Sequence, residues 1–337
     1  MQIQENVSLK PYNTFGIDVP ASHFLEIRSI DTLREVLQRE DLPAHFVLSG
    51  GSNILFTSPV EALVLYINLR GREVIREDAG QVIIRAMAGE NWHELVMWTL
   101  QQGFGGIENL ALIPGKAGTA PIQNIGAYGV ELKDVFEACT AIDVNSGALK
   151  RFDREQCQFG YRDSIFKREG KGRFIILSLE MRLTRKNHRL STSYGAIETE
   201  LNARNISNPS PGDIAAAVID IRRRKLPDPN VLGNSGSFFK NPVIAASLFD
   251  KLREQHPEMP GYTQPDRMVK VPAGWLIDRC GLKGYRTGDA GVHKKQALVL
   301  VNYGGARGTD ILQLALYVQA TVRERFSIEL QPEVNIL

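Results

Sequence analysis

The amino-acid sequence predicts an α+β protein with more than one domain. Apolar residues recur at helical spacing in several segments, for example at Leu33, Val36 and Leu37. Elsewhere they alternate with polar residues, as from residue 177 to residue 183, which is the period of a β-strand. The length of 337 residues exceeds what one hydrophobic core usually serves. These three observations favour two or three domains that mix helices and strands.

The N-terminal half is predicted to alternate short strands with helices. A helix is expected from Asp31 to Arg39, because its apolar positions share one face. Gly103 is expected to stop a second helix, since glycine adopts the left-handed conformation that commonly follows a helix end. The predicted strands are 44–48, 63–67 and 81–88, and the second helix is 91–102.

The C-terminal half is predicted to begin with a hairpin and to end with a helix. Asn145-Ser146-Gly147 is a turn signal between two apolar runs, so we expect a hairpin from 140 to 152. The alternation at 177–183 predicts a half-buried strand. Two prolines with serine and glycine at 207–213 indicate a domain boundary, after which Asp213 is expected to cap a helix. The remaining predicted elements are helices at 245–255 and 273–280, a strand at 297–302 and a last helix capped by Thr309.

Composition and charge argue against several classes of function. Lysine and arginine number 40 against 38 acidic residues, and a net charge of +2 predicts no nucleic-acid partner. No stretch approaches the roughly 18 apolar residues of a membrane span, and the first residues lack a signal-peptide core, so we expect no membrane insertion. Three widely spaced cysteines and six histidines without ligand spacing predict neither a disulfide framework nor a metal site. A monomeric, cytoplasmic protein is expected.

Two glycine-rich segments are candidates for binding a phosphate-bearing cofactor. Residues 49–53 (Ser-Gly-Gly-Ser-Asn) follow a predicted strand, so their backbone N–H groups can approach a phosphate closely; an ordinary turn is the alternative. Residues 113–129 contain too many small residues for a helix or a strand. A bound polar cofactor can accept the N–H groups of such a segment, and a glycine-rich surface loop is the alternative.

Three further positions carry polar side chains that suit an anionic substrate. Arg162 and Asp163 lie among aromatic residues, where the arginine can fork onto a carboxylate or form a structural ion pair with its neighbour. Ser237 lies in a run of small residues, where a serine is commonly a turn former. The basic run 222–225 ends a predicted helix and either faces solvent or contacts a diphosphate.

Several short segments occur in an order and spacing that chance does not supply. They are Tyr12-Asn13-Thr14-Phe15-Gly16, Gly51-Ser52-Asn53, Ala88-Gly89-Glu90-Asn91-Trp92, 114–129, Gly160-Tyr161-Arg162-Asp163-Ser164, 236–242, 273–278 and Pro332-Glu333-Val334. Together they extend over nearly the whole chain, which resembles the UDP-N-acetylenolpyruvoylglucosamine reductase (MurB) family. One departure is visible, because Ser49 stands where the family commonly has a glycine.

The resemblance implies an FAD-binding fold of the vanillyl-alcohol-oxidase (PCMH) type in two subdomains, followed by a C-terminal α+β substrate-binding domain. The implied boundaries are 1–70 joined by the tail 327–337, then 71–210 and 211–326. Tyr194 and Tyr262 resemble positions of the longer family subtype, in which a tyrosine loop folds over the substrate.

The resemblance also implies a set of site residues. The catalytic residues carried over are Arg162, Ser237 and Glu333. Non-covalent FAD would be held by Gly50, Gly51, Ser52, Asn53, Pro114, Gly115, Thr119, Asn124, Gly126, Ala127 and Tyr128. The nucleotide-sugar substrate would be held by Tyr194, Arg222, Lys225, Asn241, Tyr262, Lys270 and Gln296.

The implied reaction is the reduction of UDP-N-acetylglucosamine enolpyruvate, with NADPH as the reductant of FAD. Arg162 would hold the substrate carboxylate and Ser237 would protonate the carbanionic carbon. Glu333 would be protonated or would act through Arg162 and water. Two other functions stay open at this point: an oxidase or other flavin oxidoreductase on the same scaffold, and a nucleotide-binding regulatory protein.

Overall fold

The computed structural model describes residues 2–337 of the chain. Within that range the α-helices are α1 (Ile30–Leu37), α2 (Trp92–Gln101), α3 (Arg154–Cys157), α4 (Gly195–Ala203), α5 (Pro211–Lys225), α6 (Ala246–Gln255), α7 (Ala273–Arg279) and α8 (Gly308–Phe326). The strands are β1 (Gln4–Ser8), β2 (Pro20–Ile27), β3 (His45–Leu48), β4 (Ile54–Leu55), β5 (Val60–Ile67), β6 (Arg72–Glu77), β7 (Gln81–Met87), β8 (Gly126–Ala127), β9 (Val130–Glu131), β10 (Phe136–Asp143), β11 (Leu149–Asp153), β12 (Phe174–Thr184), β13 (Gly233–Ser237), β14 (Val243–Ala245), β15 (Tyr262–Gln264), β16 (Met268–Lys270), β17 (Arg286–Thr287), β18 (Ala290–Val292), β19 (Val299–Asn302) and β20 (Asn335–Ile336).

The chain divides into two compact units, each built from several stretches of sequence. The first unit comprises 2–7, Ala21–Gly50 and Glu61–Arg223. The second comprises Ser8–Pro20, Gly51–Val60 and Arg224–Leu337. Most of helix α5 therefore falls in the first unit, and the residues next to the C-terminus fall in the second. The three-part division with boundaries at residues 70 and 210 stays a prediction.

The first unit contains three sheets, of which the two-stranded sheet β8-β9 is the smallest. An antiparallel sheet has the strand order β11-β10-β12-β7-β6, and a second sheet has the order β1-β2-β5-β3. Strands β3 and β5 run parallel, with Leu48 opposite Tyr66. Because parallel strands end at the same edge of a sheet, the turn that begins at Ser49 and the chain that continues from Ile67 start side by side. This edge positions one of the predicted cofactor-binding segments.

Strand β12 lies at the centre of the antiparallel sheet, and its burial differs from the prediction. Its strand character and the hairpin of β10 and β11 around Gly147 are confirmed. The expected half-exposed face is wrong, because Ser178 and Glu180 are buried as well as the alternating apolar residues. The carboxylate of Glu180 accepts hydrogen bonds from Arg85 and Arg151, which cover this face and satisfy its charge.

Helix starts in the first unit follow local capping rules. Helix α2 is confirmed; the Asn91 side chain accepts the N–H of Glu94, and Gly103 follows the helix with a φ of +75°. Asp213 does not cap helix α5 as predicted. Ser210 caps it, since its hydroxyl accepts the Asp213 N–H while the Asp213 carboxylate accepts the Ser210 N–H. Helix α5 buries its apolar side in the same hydrophobic core as α2 and β12.

The second unit contains small sheets and the long helix α8. One sheet has the order β13-β19-β18-β17, another has β14-β16-β15, and β20 pairs in parallel with β4. Helix α8 begins at Gly308 and not after the predicted cap Thr309, and the Asp310 carboxylate accepts the N–H of Arg307. A Cβ on Gly308 would lie 1.6 Å from the Phe56 carbonyl oxygen, so the helix start packs directly on backbone. No helix in the described part of the chain combines the length and apolar character needed to cross a bilayer.

Candidate active site

The two glycine-rich segments meet at Gly50 and Gly115 in the first unit. A Cβ on Gly50 would lie 2.9 Å from the Gly115 Cα and 3.3 Å from the Lys116 nitrogen. Only a residue without a side chain allows this approach. Beside it, the Ser49 Oγ is buried and makes no hydrogen bond within the described residues. The segments therefore form one surface, with an unsatisfied hydroxyl beside the contact.

The segment 113–129 is packed into the core of the first unit. Ala117 and Ala120 are fully or almost fully buried. The connection between β7 and α2 accepts the N–H groups of Ala117 and Gly118 through the carbonyls of Glu90 and Ala88. The alternative of a glycine-rich surface loop is therefore wrong. Thr119 lies in a short 3-10 helix, and its hydroxyl donates to the Lys116 carbonyl at 2.8 Å.

The rest of the first loop belongs to the second unit. Gly51 has a φ of +57°, and a Cβ there would lie 1.9 Å from the Tyr12 carbonyl oxygen. Glycine is therefore required at this position for backbone packing as well as for conformation. The Asn53 side chain donates to the Glu333 carbonyl at 3.2 Å, and the Asn53 carbonyl accepts the Asn335 N–H at 3.1 Å. A predicted cofactor residue and a predicted catalytic residue are thus joined.

Arg162 is anchored to the end of the glycine-rich segment. Its guanidinium donates to the Gly126 carbonyl at 2.6 Å and to the Asn124 carbonyl at 3.5 Å. Its backbone lies in the left-handed region with a φ of +53°, which is uncommon for a residue with a side chain. Asp163 pairs instead with Arg168 at 2.9 Å, so the predicted alternative of an Arg162–Asp163 ion pair is wrong.

Arg222, Tyr128 and Tyr194 join Arg162 in one cluster of the first unit. The Arg222 Nε donates to the Leu112 carbonyl at 3.3 Å. Its guanidinium also interacts electrostatically with the Tyr128 phenol. The rings of Tyr128 and Tyr194 meet edge to face at 5.4 Å. Residues predicted separately for cofactor, substrate and catalysis are therefore brought together.

The electrostatics of this cluster favour an anionic ligand. Desolvation lowers the pKa of Arg222, and the positive charge of Arg162 lowers it further. Desolvation also raises the pKa of Tyr128, so the phenol remains neutral near pH 7 and does not cancel the charge of Arg222. A carboxylate or a phosphate between the two guanidinium groups would relieve their repulsion.

Ser237 and Glu333 are brought together in the second unit, and Arg162 belongs to the first. Ser237 is the last residue of β13 and its side chain is exposed. The Glu333 N–H donates to the Phe238 carbonyl at 2.8 Å, and Lys240 donates in the same way to Gln331. The chain around Glu333 therefore lies beside the residues that immediately follow Ser237.

Most of the predicted substrate residues of the second unit surround β16 and the start of α7. Lys270 pairs with Tyr262 across the sheet. The Asn241 side chain accepts the Ala273 N–H at 3.0 Å. The Gln296 side chain also lies at the first turn of α7, since a Cβ on Gly274 would be 3.1 Å from its Oε1. Lys225 is exposed at the end of α5.

Comparison with known proteins identifies the family. Residues 228–337 match the family model of the UDP-N-acetylenolpyruvoylglucosamine reductase C-terminal domain, and residues 21–153 match that of an FAD binding domain. The chain is 52% identical to the UDP-N-acetylenolpyruvoylglucosamine reductase of Flavobacterium johnsoniae over 100% of both chains. It is 50% identical to that of Pseudomonas aeruginosa, over 100% of this chain and 99% of the relative.

The chain belongs to the UDP-N-acetylenolpyruvoylglucosamine reductase (MurB) family.

A solved structure of the MurB family extends the comparison to the fold. The structure of the Thermus caldophilus reductase matches with a TM-score of 0.67 and 26% identity, over 100% of this chain and 99% of that one. The predicted order of domains is confirmed, because an FAD-binding domain is followed by the C-terminal MurB domain.

Sequence reasoning missed one buried charged residue of the segment 113–129, Lys116. Its side chain is 8% exposed, and its Nζ donates to the Ile67 carbonyl at 2.9 Å and lies 3.9 Å from the centre of the Tyr66 ring. Desolvation, followed by the charge of Arg70, lowers the pKa of Lys116 to about 8. The signal was available, because Lys116 is the one charged residue between 113 and 129.

No group of three or more histidine, cysteine, aspartate or glutamate residues that could hold a metal ion occurs among residues 2–337.

Proposed function

We propose that this MurB-family protein reduces UDP-N-acetylglucosamine enolpyruvate to UDP-N-acetylmuramate, a step of peptidoglycan precursor synthesis, with FAD as cofactor and NADPH as reductant. The observation that carries the proposal is the pairing of the cluster around Arg162 with full-length similarity to named reductases. An anion-binding cluster next to a glycine-rich segment suits a substrate that contains a carboxylate and a diphosphate.

The residues of the first unit fit FAD. Gly50 and Gly115 approach each other as closely as backbone allows, and the buried Ser49 hydroxyl has no partner among the described residues. Such a surface presents backbone N–H groups and a hydroxyl to a phosphate without a side chain in the way. When bound, FAD accepts a hydride from NADPH and supplies one to the terminal enolpyruvyl carbon of the substrate.

The proposed work of Arg162 is to hold the substrate carboxylate, into which negative charge spreads as the enolate forms. Its hydrogen bonds to the carbonyls of Asn124 and Gly126 fix the guanidinium before the substrate arrives. A donor that is already oriented stabilises developing charge without reorganising during the reaction. Arg222, which lies in the same cluster, is proposed to hold the substrate diphosphate with Lys225.

Ser237 is proposed to protonate the carbanionic carbon. A serine hydroxyl is a weak acid, but an enolate carbon is basic enough to accept its proton when the geometry is right. The Glu333 N–H donates to the carbonyl of Phe238, the residue after Ser237. Glu333 is proposed to be protonated in the reactive complex or to act through Arg162 and water. Asn241, Tyr262, Lys270 and Gln296, together with Tyr194 of the first unit, are proposed to hold the nucleotide-sugar.

The site is proposed to operate in the cytoplasm. Cys139 and Cys157 are free thiols and both are buried, a state that a reducing compartment preserves. The monomeric state stays a prediction.

A two-step spectroscopic experiment tests the proposal. The purified protein should carry a flavin spectrum that bleaches with NADPH and recovers when the enolpyruvyl nucleotide-sugar is added. A Ser237→Ala variant should be reduced by NADPH at nearly the wild-type rate in stopped flow, while its reoxidation by substrate slows by about 100-fold or more. Ser247→Ala, at an exposed position on α6, is the matched control.

Each competing function predicts a different outcome of that experiment. A flavin oxidase would recover its colour with oxygen faster than with the nucleotide-sugar. A regulatory protein would bind the nucleotide without any bleaching by NADPH. Equal slowing of both half-reactions in Ser237→Ala would contradict the proton-donor role of Ser237. It would not contradict the proposed overall reaction.

A further inference from the structure

Lys116 is a buried cation in the middle of the glycine-rich segment. The segment is otherwise uncharged from 113 to 129, yet this lysine is 8% exposed. A lysine charge is costly to bury, because the interior solvates an ammonium group poorly. The lowered pKa of Lys116 is the expected consequence of that burial. A lysine kept inside at such a cost needs a reason other than stability.

The ammonium group is held at the carboxyl ends of the parallel strands β3 and β5. Its three hydrogens have three acceptors: the Ile67 carbonyl at 2.9 Å, the Asn68 Oδ1 at 3.4 Å and the face of the Tyr66 ring. No hydrogen is left to contact a ligand directly. The charge therefore acts through its field and through the position that these contacts impose on the backbone.

The backbone of Lys116 is fixed on the opposite side. The Gly115 carbonyl accepts the Trp92 N–H at 3.0 Å, and the Ala117 N–H donates to the Glu90 carbonyl at 2.8 Å. Lys116 thus lies between these two bonds, directly beside the place where Gly50 packs on the segment. The Lys116 side chain connects that surface to the end of β5 through its hydrogen bond to the Ile67 carbonyl.

Neighbouring charges do not neutralise this lysine in a direct pair. Glu26, on β2, reaches it through Asn68, whose amide donates to the Glu26 carboxylate at 2.5 Å. The same carboxylate pairs with Arg28 at 2.8 Å. The Asn68 Oδ1 also accepts a hydrogen bond from Arg70 at 2.9 Å, so two cations share one amide oxygen. The net charge of these groups beside the segment is therefore positive.

We propose that Lys116 is a positioning residue for the diphosphate of the cofactor. Its ammonium group holds the Gly115–Lys116 turn against the ends of β3 and β5 and supplies a positive field at the surface formed with Gly50. This inference rests on the proposed function, because it assigns the anion to the diphosphate of FAD. Removing the charge should weaken FAD binding without weakening the fold.

Titration of cofactor-free, full-length protein with FAD, followed by quenching of flavin fluorescence, tests the proposal. Lys116→Met is expected to raise the Kd for FAD about tenfold, which is the effect of losing one nearby charge in a partly desolvated site. Lys116→Arg, which keeps the charge, is expected to recover part of that loss. Lys150→Met is the matched control, since Lys150 lies over the Phe152 ring on the antiparallel sheet and away from the segment.

The pH dependence separates a field effect from a purely structural one. In the wild type, the Kd should rise as the pH passes through about 8, where Lys116 loses its proton. The charged and titratable groups that face it are Glu26, Arg28, Arg70 and the Tyr66 phenol. The Lys116→Met variant should show no such rise. A Kd that depends on pH in the same way in both proteins overturns the proposal.

The remaining outcomes are equally decisive. Equal FAD affinity of the wild type and Lys116→Met overturns the positioning role while the proposed function stands, since FAD still binds. If Lys116→Met binds FAD more weakly but the Kd of the wild type does not change with pH, the field effect is overturned. A wild-type protein that binds no FAD at any pH overturns the proposed function and this inference with it.

Discussion

Replacing Lys116 with Met is expected to leave the cofactor-free protein at least as stable as the wild type near neutral pH. The pKa of Lys116 falls from 10.5 to about 8, and this difference corresponds to about 3 kcal/mol that opposes folding while the group is charged. Met also removes the hydrogen bonds to the Ile67 carbonyl and Asn68, which contribute about 1 kcal/mol each. The expected net effect is a gain of about 1 kcal/mol.

The pH dependence gives the sharper form of this prediction. As the pH rises through about 8, the folded wild type releases the Lys116 proton, while the unfolded chain keeps it up to the ordinary pKa of 10.5. The folded state therefore gains stability with rising pH in that window, and below it the full unfavourable contribution remains. Between about pH 7 and about pH 9.5 the advantage of Lys116→Met should shrink by about 2 kcal/mol.

Urea unfolding of the two proteins without cofactor, at both pH values, measures this difference. Lys150→Met controls for the loss of an exposed lysine. The reasoning is refuted by a Lys116→Met protein that is less stable than the wild type by more than about 2 kcal/mol near neutral pH, because the hydrogen bonds would then outweigh the burial of the charge. It is also refuted by a stability difference that does not change with pH.

Three further substitutions have expected outcomes of different kinds. Gly51→Ala should lose FAD and destabilise the protein by more than about 3 kcal/mol, because its Cβ would overlap the Tyr12 carbonyl; urea unfolding with retained FAD at wild-type stability would contradict this. Trp92→Phe should cost about 1–2 kcal/mol in the same assay, since the buried Leu110 carbonyl loses the indole donor, and a neutral result would show that the carbonyl finds another partner. Glu180→Gln should flatten the acid limb of the stability curve. Burial acts to raise the pKa of Glu180, but hydrogen bonds from Arg151 and Arg85 outweigh it and lower that pKa overall. The contribution of Glu180 to stability is therefore present above the ordinary pKa of 4.5 and is lost as the pH falls below it. An unchanged acid limb would contradict that assignment.

Local features of the fold were predictable where one interaction dominates. The spacing of apolar residues and the stop at Gly103 were sufficient to predict α2, and a three-residue turn signal was sufficient for the hairpin of β10 and β11. Helix starts were less predictable. Ser210 and Asp213 form reciprocal hydrogen bonds, so either residue has the composition of a cap, and only the backbone geometry shows that the helix begins between them.

Burial of polar residues was not predictable from periodicity. The alternation along β12 indicated one wet face, but strands on both sides and two arginines cover Glu180. Whether the second face of a sheet is covered depends on chain segments far away in sequence. The same holds for Lys116, which in a glycine-rich segment has the composition of a surface residue and is buried only because β5 ends beside it.

The sequence by itself determined the residue types of the site and the family that carries them, because short motifs in a fixed order do not depend on coordinates. The sequence also shows a glycine at position 51. Only the tertiary structure shows why a glycine is needed there, because the Tyr12 carbonyl lies where a side chain would be. It also decided that Arg162 donates to the Gly126 carbonyl while Asp163 pairs with Arg168, and that Lys116 in the segment 113–129 is buried. These are contacts between residues distant in sequence, and such contacts are set by how the elements pack, which no local pattern encodes.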